Sequence, residues 1–387
     1  MQPCCKCYNI YYLRQKNIHM IFKSYPRLLA VAASIAFLSL TISSCKKEEG
    51  SSPVPVSLEL PSTLTVAYGE TAGIALPADL IKQSDVTFNF EFKETNNIQI
   101  NTGTALHDKL KSAVTFDKAQ GKVTIDSRLL YPNGAVSSVN GNKIPDNYKV
   151  TIIASSSKGT LSGSQTVAVT VTPAKLKVKN ADNTTEIPFA YVLYSKDVAN
   201  FELESATTPT ENSSWYLPKT ADSELVVSMD GNKVQFSANA GDPKKEAEKA
   251  YDLEPALQKD GFTVASTKFR VIFIPQIKFF YGTYYPEYNL TILSNLVHIG
   301  LANGYLSAAP TLYPERYKSS FSIVSIEQDG KAYDNTDGIF ELNKETGKVT
   351  VKQNTKLKAG RYKFMIKALT TTGLEFTSDL TLAMSEG

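Results

Sequence analysis

The chain has 387 residues and carries 41 Lys and Arg against 38 Asp and Glu, a formal net charge of +3. Charges this evenly matched leave no basic stripe for a nucleic-acid partner. Four cysteines, three of them before residue 8, leave no disulfide framework, so stability rests on apolar burial.

In chain order, the first 44 residues come first. They hold five basic side chains (Lys6, Arg14, Lys16, Lys23 and Arg27) and no acidic one, and the apolar run LLAVAASIAFLSL follows at 28–40. Positive flank, apolar core and small residues in that order describe a secretory signal over 1–44 rather than a folded element. The run is too short for a comfortable membrane-spanning helix. Met20 is an alternative start, because the residues before it add nothing such a signal needs. Removing 44 residues leaves 343 and lowers the basic count from 41 to 36 against 38 acidic residues, so the net charge becomes −2.

Ile42, Ser43 and Ser44 stand directly before Cys45, the only cysteine after residue 7. This ISSC stretch resembles the lipobox of bacterial lipoproteins, which implies acylation of Cys45; the other reading is an ordinary cleavage site with a chance cysteine. Lys46, Lys47, Glu48 and Glu49 follow, and a lysine trailed by two acidic residues resembles the surface-export signal of Bacteroidetes lipoproteins. Buried acyl chain contributes about 0.8 kcal/mol per methylene. Several chains on Cys45 would therefore hold the protein on outer-membrane lipid, facing the cell exterior. The charged and then Ser- and Pro-rich stretch over 45–55 reads as a tether.

Beyond it, short alternating runs such as TFNFEF (87–92) and KFRVIFI (268–274) have the period of half-buried strands. ALHDKLKSA (105–113) is a helix candidate. FDKAQGKVTI (116–125) aligns without gaps to LNKETGKVTV (342–351), and YKVTIIASSSKGTLSGS (148–164) aligns to YKFMIKALTTTGLEFTS (362–378). The first copy holds 22 residues between its two blocks and the second 10, so an insertion of 12 falls within 126–146, where Asn133-Gly134 and Asn140-Gly141 mark turns.

These features predict a mostly β chain: one sandwich at 56–174, a middle β-domain at 175–277 and a C-terminal sandwich at 278–387. TPAKLKVKN (172–180) is the first junction. In the middle domain, LVVSMDGNKVQFS (225–237) places Asp230-Gly231 between two alternating runs and predicts a hairpin. GDPKKEAEKAYDLEPALQKDG (241–261), with Asp242 as N-cap and Pro243 in the first turn, predicts a helix.

Phe279 opens FFYGTYYPEY (279–288), six rings in ten positions, and nine aromatics fall between Phe279 and Tyr317, seven of them tyrosine. Tyrosine's polar tip suits it less to a dry core than to a surface, and Gly282 and Pro286 interrupt any single buried strand. Two readings stand: rings that seal a core or domain interface, or a platform for sugars, whose C–H faces stack while their hydroxyls need partners. The candidate ligand residues are Tyr281, Tyr284, Tyr285, Tyr288, Glu287 and Arg316, with Trp215 and Tyr216 as a second group in a loop-like context.

Catalytic signals are scarce. His107 and His298 are the only histidines after the signal; no HExxH, CxxC, GxSxG or phosphate-binding glycine loop appears, and no cofactor or metal is predicted. DGKAYDNTDG (329–338) offers calcium-type oxygen ligands but lacks the closing Glu of an EF-hand loop, and turn formation is the better account.

The repeat resembles the cadherin-like and immunoglobulin-like sandwiches of bacterial surface proteins. Together with ISSCKKEE, the architecture resembles the surface glycan-binding lipoproteins of starch-utilisation-type systems in Bacteroidetes. That resemblance implies a non-catalytic protein capturing polysaccharide or oligosaccharide beside a glycan importer, with the site in the last two domains. An adhesin or fimbria-related structural protein, binding other proteins through sheet edges, is the alternative.

Overall fold

The computed structural model describes residues 53–386 apart from 93–97, 196 and 302. The signal, Cys45, Lys46, Lys47, Glu48, Glu49 and the tether up to residue 52 lie outside the described residues.

The described chain is mostly β, and one topology recurs three times. In the first copy, Leu161–Thr172 pairs antiparallel with Tyr148–Ser156, which pairs in turn with Val86–Glu91. On its other side, Leu161–Thr172 runs parallel to Thr63–Ala67. A second sheet joins Thr71–Ala75, Lys122–Asp126 and Val114–Asp117. The last copy repeats this with Glu375–Ser385, Gly360–Thr370, Lys318–Gln328 and the parallel Leu296–Gly300. Its second sheet holds Tyr305–Leu306, Val349–Val351 and Phe340–Leu342. These are immunoglobulin-like β-sandwiches, and the strands come from the aligned blocks. Tyr148, Val150, Ile152 and Ala154 alternate inward with no exposure at all, as period two requires. The leading tyrosine of each copy is buried, and its hydroxyl donates to an upstream carbonyl: Tyr148 to Tyr131, Tyr362 to Lys358.

The middle copy has the same pairings. Phe269–Ile274 lies antiparallel to Lys249–Leu253 and parallel to Phe189–Leu193. Phe262–Ser266 lies antiparallel to Ala256–Lys259, which pairs with Ser213–Tyr216. Ala199–Glu204, Lys233–Phe236 and Val227–Asp230 form the facing sheet, and the hairpin at Asp230-Gly231 is present. We propose that the sandwiches divide near residues 174 and 277, where the last strand of one hands over to the first of the next.

The helix expected over 241–261 is absent. Asp242 does cap locally, its carboxylate accepting the N–H groups of Glu246 and Ala247. Lys245 then adopts a positive φ of 59°, and the chain continues as the strands Lys249–Leu253 and Ala256–Lys259. Glu, Lys and Ala are good helix formers, but Tyr251, Leu253 and Leu257 are buried at even spacings, and tertiary burial overrides propensity. The other candidate forms the α-helix Leu106–Ala113.

One continuous buried cluster runs from Leu58 to Phe273, joining the first and middle sandwiches, whereas the last has its own around Phe340, Phe364 and Leu382. The insertion at 126–146 helps to make the first junction. The Tyr131 hydroxyl donates to Asp260 Oδ2 at 2.5 Å, the Ser138 N–H donates to the Gly261 carbonyl at 2.9 Å, and the Tyr131 and Phe262 rings lie 4.8 Å apart. A Cβ on Gly261 would sit 2.7 Å from Ser137 Oγ, so only glycine admits the insertion this closely. Elsewhere on the same junction, Gly69 packs against the backbone of Thr207.

Candidate functional site

The aromatic segment does not form one platform. Lys278–Phe280 pairs with Thr311–Tyr313, and Gly282–Tyr285 pairs with Leu290–Leu293 across the turn Pro286–Tyr288. Gly282 is required here, because a Cβ would lie 2.1 Å from the Ile292 carbonyl oxygen. Tyr281 is a core residue, 2% exposed; its hydroxyl donates to the Gly347 carbonyl at 2.7 Å, and burial pushes its pKa up. It is removed from the candidate ligand residues, because no ligand can reach its ring.

Successive side chains of a strand point to opposite faces, and this separates Tyr284 from Tyr285. Tyr284 is half-buried against Tyr313, with ring centroids 5.0 Å apart and planes tilted by 59°. Lys278 Nζ lies 4.5 Å from the centre of the Tyr284 ring, and the Tyr284 hydroxyl donates to Asn289 Oδ1 at 2.9 Å. Tyr285 shares the other face with Leu290 and Ile292, all exposed, and Tyr288 at the tip is 76% exposed. Glu287 is exposed in the same turn.

Arg316 is not part of this cluster. Its guanidinium sits 4.9 Å from the Tyr317 ring, donates to the Tyr317 hydroxyl at 3.0 Å and lies 3.7 Å from Glu248. Tyr317 is buried and donates to Glu248 at 2.6 Å; burial first, then that carboxylate, pushes its pKa up to about 12. These contacts stitch the middle sandwich to the last, beside a small buried cluster of Ile274, Ile277, Leu312 and Phe321.

Trp215 and Tyr216 lie on the strand Ser213–Tyr216 rather than in a loop, and they too face opposite ways. Tyr216 is 45% exposed. Trp215, opposite Leu257, packs partly on the core and lines a cleft of ≈ 550 Å³ with Lys177, Glu202, Glu204, Thr210 and Asn232. Glu202 and Glu204 alternate with the buried Phe201 and Leu203, so both carboxylates stand on the outer face of one strand. Lys179 lies 3.6 Å from Glu202 and 4.0 Å from Glu204. The arrangement combines an aromatic surface with acceptors, an amide and an ammonium, the set that a hydroxyl-bearing ring needs. Sequence reading missed Glu202, Glu204 and Asn232, although the alternation in NFELE already places both carboxylates outward. It also missed Lys278, whose meeting with Tyr313 depends on strand pairing.

His107 lies in the helix Leu106–Ala113 at 6.0 Å from the Phe92 ring, and its Nδ1 is buried without a partner; His298 is exposed on Leu296–Gly300. Among the described residues no three His, Cys, Asp or Glu side chains converge as a metal requires. The acidic loop at 329–338 spends three side-chain oxygens on backbone N–H groups. Asp329 accepts from Arg361 N–H, Asp334 from Thr336 N–H, and Asn335 brackets Phe340.

Residues 288–385 match the family described as "Surface glycan binding protein BT4661-like, N-terminal", an immunoglobulin-type domain. None of the curated proteins matches the chain. Among solved structures, Drosophila OTK extracellular domains 3–5 are 13% identical, with 86% of this chain and 99% of that one covered at a TM-score of 0.29. Drosophila N-cadherin EC1-3 is 12% identical, with 84% and 98% covered at 0.26. Sidekick-1 immunoglobulin domains 1–4 are 10% identical, with 85% and 75% covered at 0.29.

Proposed function

We propose that this protein is a non-catalytic cell-surface lipoprotein that captures polysaccharide or oligosaccharide for uptake, with the Trp215 cleft as the place where a sugar ring lands. The class of function is supported by the family that residues 288–385 match, whose description names surface glycan binding. The observation that carries the site is the setting of Trp215, the single tryptophan of the chain, beside Glu202, Glu204 and Asn232 in a polar cleft. The wedge of Tyr284 and Tyr313, with Lys278 and Asn289 as polar partners, is a second point of contact. Acylated Cys45 anchors the chain in the outer membrane, Lys46 to Glu49 direct it to the exterior, and a glycan importer is the partner that receives the captured polymer. Affinity for one short glycan is weak, about 4–8 kcal/mol or millimolar to micromolar, and clustering on the surface raises it.

A second reading, an adhesin binding protein, is favoured by one observation. Leu290 and Ile292, beside Tyr285 on one face of the hairpin, are each 48% exposed, an aliphatic surface that suits protein better than sugar. Retardation gels of residues 46–387 in a panel of polysaccharides separate the two. Retardation by one glycan, lost in Trp215→Ala and reduced in Tyr284→Ala while circular dichroism stays unchanged, supports capture at the cleft. Mobility unaltered across the panel overturns the glycan reading and leaves the adhesin.

A further inference from the structure

The middle sandwich differs from its neighbours in one backbone feature that the Trp215 cleft does not use. Its strands Lys249–Leu253 and Ala256–Lys259 are halves of one strand, because Leu253 lies opposite Phe269 and Ala256 opposite Ser266 with no shift of register between them. Glu254 and Pro255 therefore face Lys268 and Thr267 directly. Thr267 N–H donates to the Pro255 carbonyl at 3.2 Å. In an antiparallel ladder such a pair exchanges two bonds, but Pro255 has no N–H to return the second. The sheet is cut in two at this level, whereas Tyr148–Ser156 and Gly360–Thr370 run through unbroken.

A cleft of ≈ 410 Å³ lies at the cut. Asp252 and Glu254 line it from one strand and Lys268 and Arg270 from the other, with Pro218 and Thr220 contributed by the segment that follows Ser213–Tyr216. Arg270 forks onto Asp252, Nε to Oδ1 at 2.6 Å and Nη2 to Oδ2 at 2.9 Å, and this bidentate geometry holds both side chains in place. Glu254 and Lys268 are exposed, and their side chains have no hydrogen-bond or ion-pair partner among the described residues. Two acids and two bases sum to zero charge, so the cleft selects neither an anion nor a cation. What it offers is acceptors and donors side by side next to an apolar wall.

We propose that this cut in the ladder is a carbohydrate subsite for a neutral, hydroxyl-rich ring, whose hydroxyls donate to Glu254 and accept from Lys268 while its apolar face lies on Pro218. The assignment rests on the glycan reading above but uses different residues. The fixed Asp252–Arg270 pair forms the rigid wall of the subsite and Glu254 with Lys268 its free jaws. Pro255 keeps the site open by withholding the bond that would close the ladder.

The test is nuclear magnetic resonance on residues 46–387, following the backbone amides of residues 252–254 and 268–270 and the indole N–H of Trp215. Maltohexaose, cellohexaose, xylohexaose, mannohexaose and laminarihexaose are added in turn. At least one sugar is expected to shift the 252–254 and 268–270 amides. Glu254→Ala with Lys268→Ala weakens that response about tenfold or more, as loss of charge-assisted hydrogen bonds requires, and leaves the indole response in place. Pro255→Ala, which restores an N–H opposite the Thr267 carbonyl, abolishes it. An indole response without any amide response overturns the subsite and leaves the glycan reading standing. Amide shifts with a silent indole support the subsite and overturn the placement at Trp215; silence at both overturns both. A double variant that responds as the parent does also overturns the subsite.

Discussion

The outer sandwiches and the middle one share a topology and differ in how completely it is closed. In the first and last, the two longest strands pair over 8 and 10 residues without interruption, and their inward side chains are apolar. In the middle, Pro255 removes one donor and the same ladder becomes two short sheets with a polar cleft between them. Both candidate ligand clefts lie in this interrupted copy. A β-sandwich whose ladders close fully has few concave polar places, and one missing N–H is enough to make one.

The sharpest contrast is expected at alkaline pH. The outer sandwiches hold tyrosines whose hydroxyls are pushed up by burial: Tyr68 to about 12 in the first, with Tyr131 and Tyr148 also raised, and Tyr281 in the last. In the middle, Tyr194 is also raised, though less. A hydroxyl whose folded pKa lies above its unfolded value of about 10 gives stability that is complete below pH 10 and withdrawn as pH rises through the folded pKa. Each such tyrosine withdraws up to about 1.4 kcal/mol per pH unit. Fluorescence and circular dichroism from pH 8 to 12 should show stability flat to about 10 and falling steeply above, with the fall shallower in Tyr68→Phe. A fall beginning near neutrality breaks the account.

Phe364→Ala comes next. Phe364 is fully buried opposite Leu380 and 5.0 Å from the Phe340 ring, and its loss should cost the last sandwich about 3–5 kcal/mol in urea unfolding. Because the last sandwich has its own core, Trp215 fluorescence should report little of this change. Tyr131→Phe removes the shorter of two side-chain hydrogen bonds on Asp260 at the first junction, leaving that from Asn101, and should cost about 1.5–3 kcal/mol. This loss should appear in the transition that Trp215 reports. The smallest effect belongs to Pro255→Ala. One ladder bond is gained and some rigidity of the unfolded chain is lost, so the net change stays within about 1 kcal/mol, but the backbone amide that the substitution introduces should be protected in hydrogen exchange. Rapid exchange there would mean that the cut has another cause.

Much of this fold is written in local patterns. The aligned blocks, the alternation in YKVTIIASS and the hairpin at Asp230-Gly231 all concern residues close in sequence, where period and turn chemistry suffice. Residues 249–259 were harder, since Glu, Lys and Ala mimic a helix and only the inward spacing of Tyr251, Leu253 and Leu257 shows a strand. The candidate site was legible in composition and not in direction. Sequence marks Tyr281, Tyr284 and Tyr285 as one group, yet the first points into the core and the other two to opposite faces of a hairpin. The cut at Pro255 is invisible until its partner Thr267 is known, because a proline matters to a ladder only through the carbonyl it fails to reach.

The insertion at 126–146 has a consequence for how such a chain can be recombined. Its contacts with residues 258–261 merge two sandwiches into one buried cluster, so the smallest exchangeable module at this end is a pair. The last sandwich has a main core of its own and meets the middle one through Tyr317 on Glu248 and the small cluster around Ile274, so shuffling can swap it singly where those few contacts are rebuilt. A chimera that replaces residues 278–387 with another sandwich keeps both clefts intact, whereas one that replaces only the first sandwich leaves Phe262 and Asp260 without their partners.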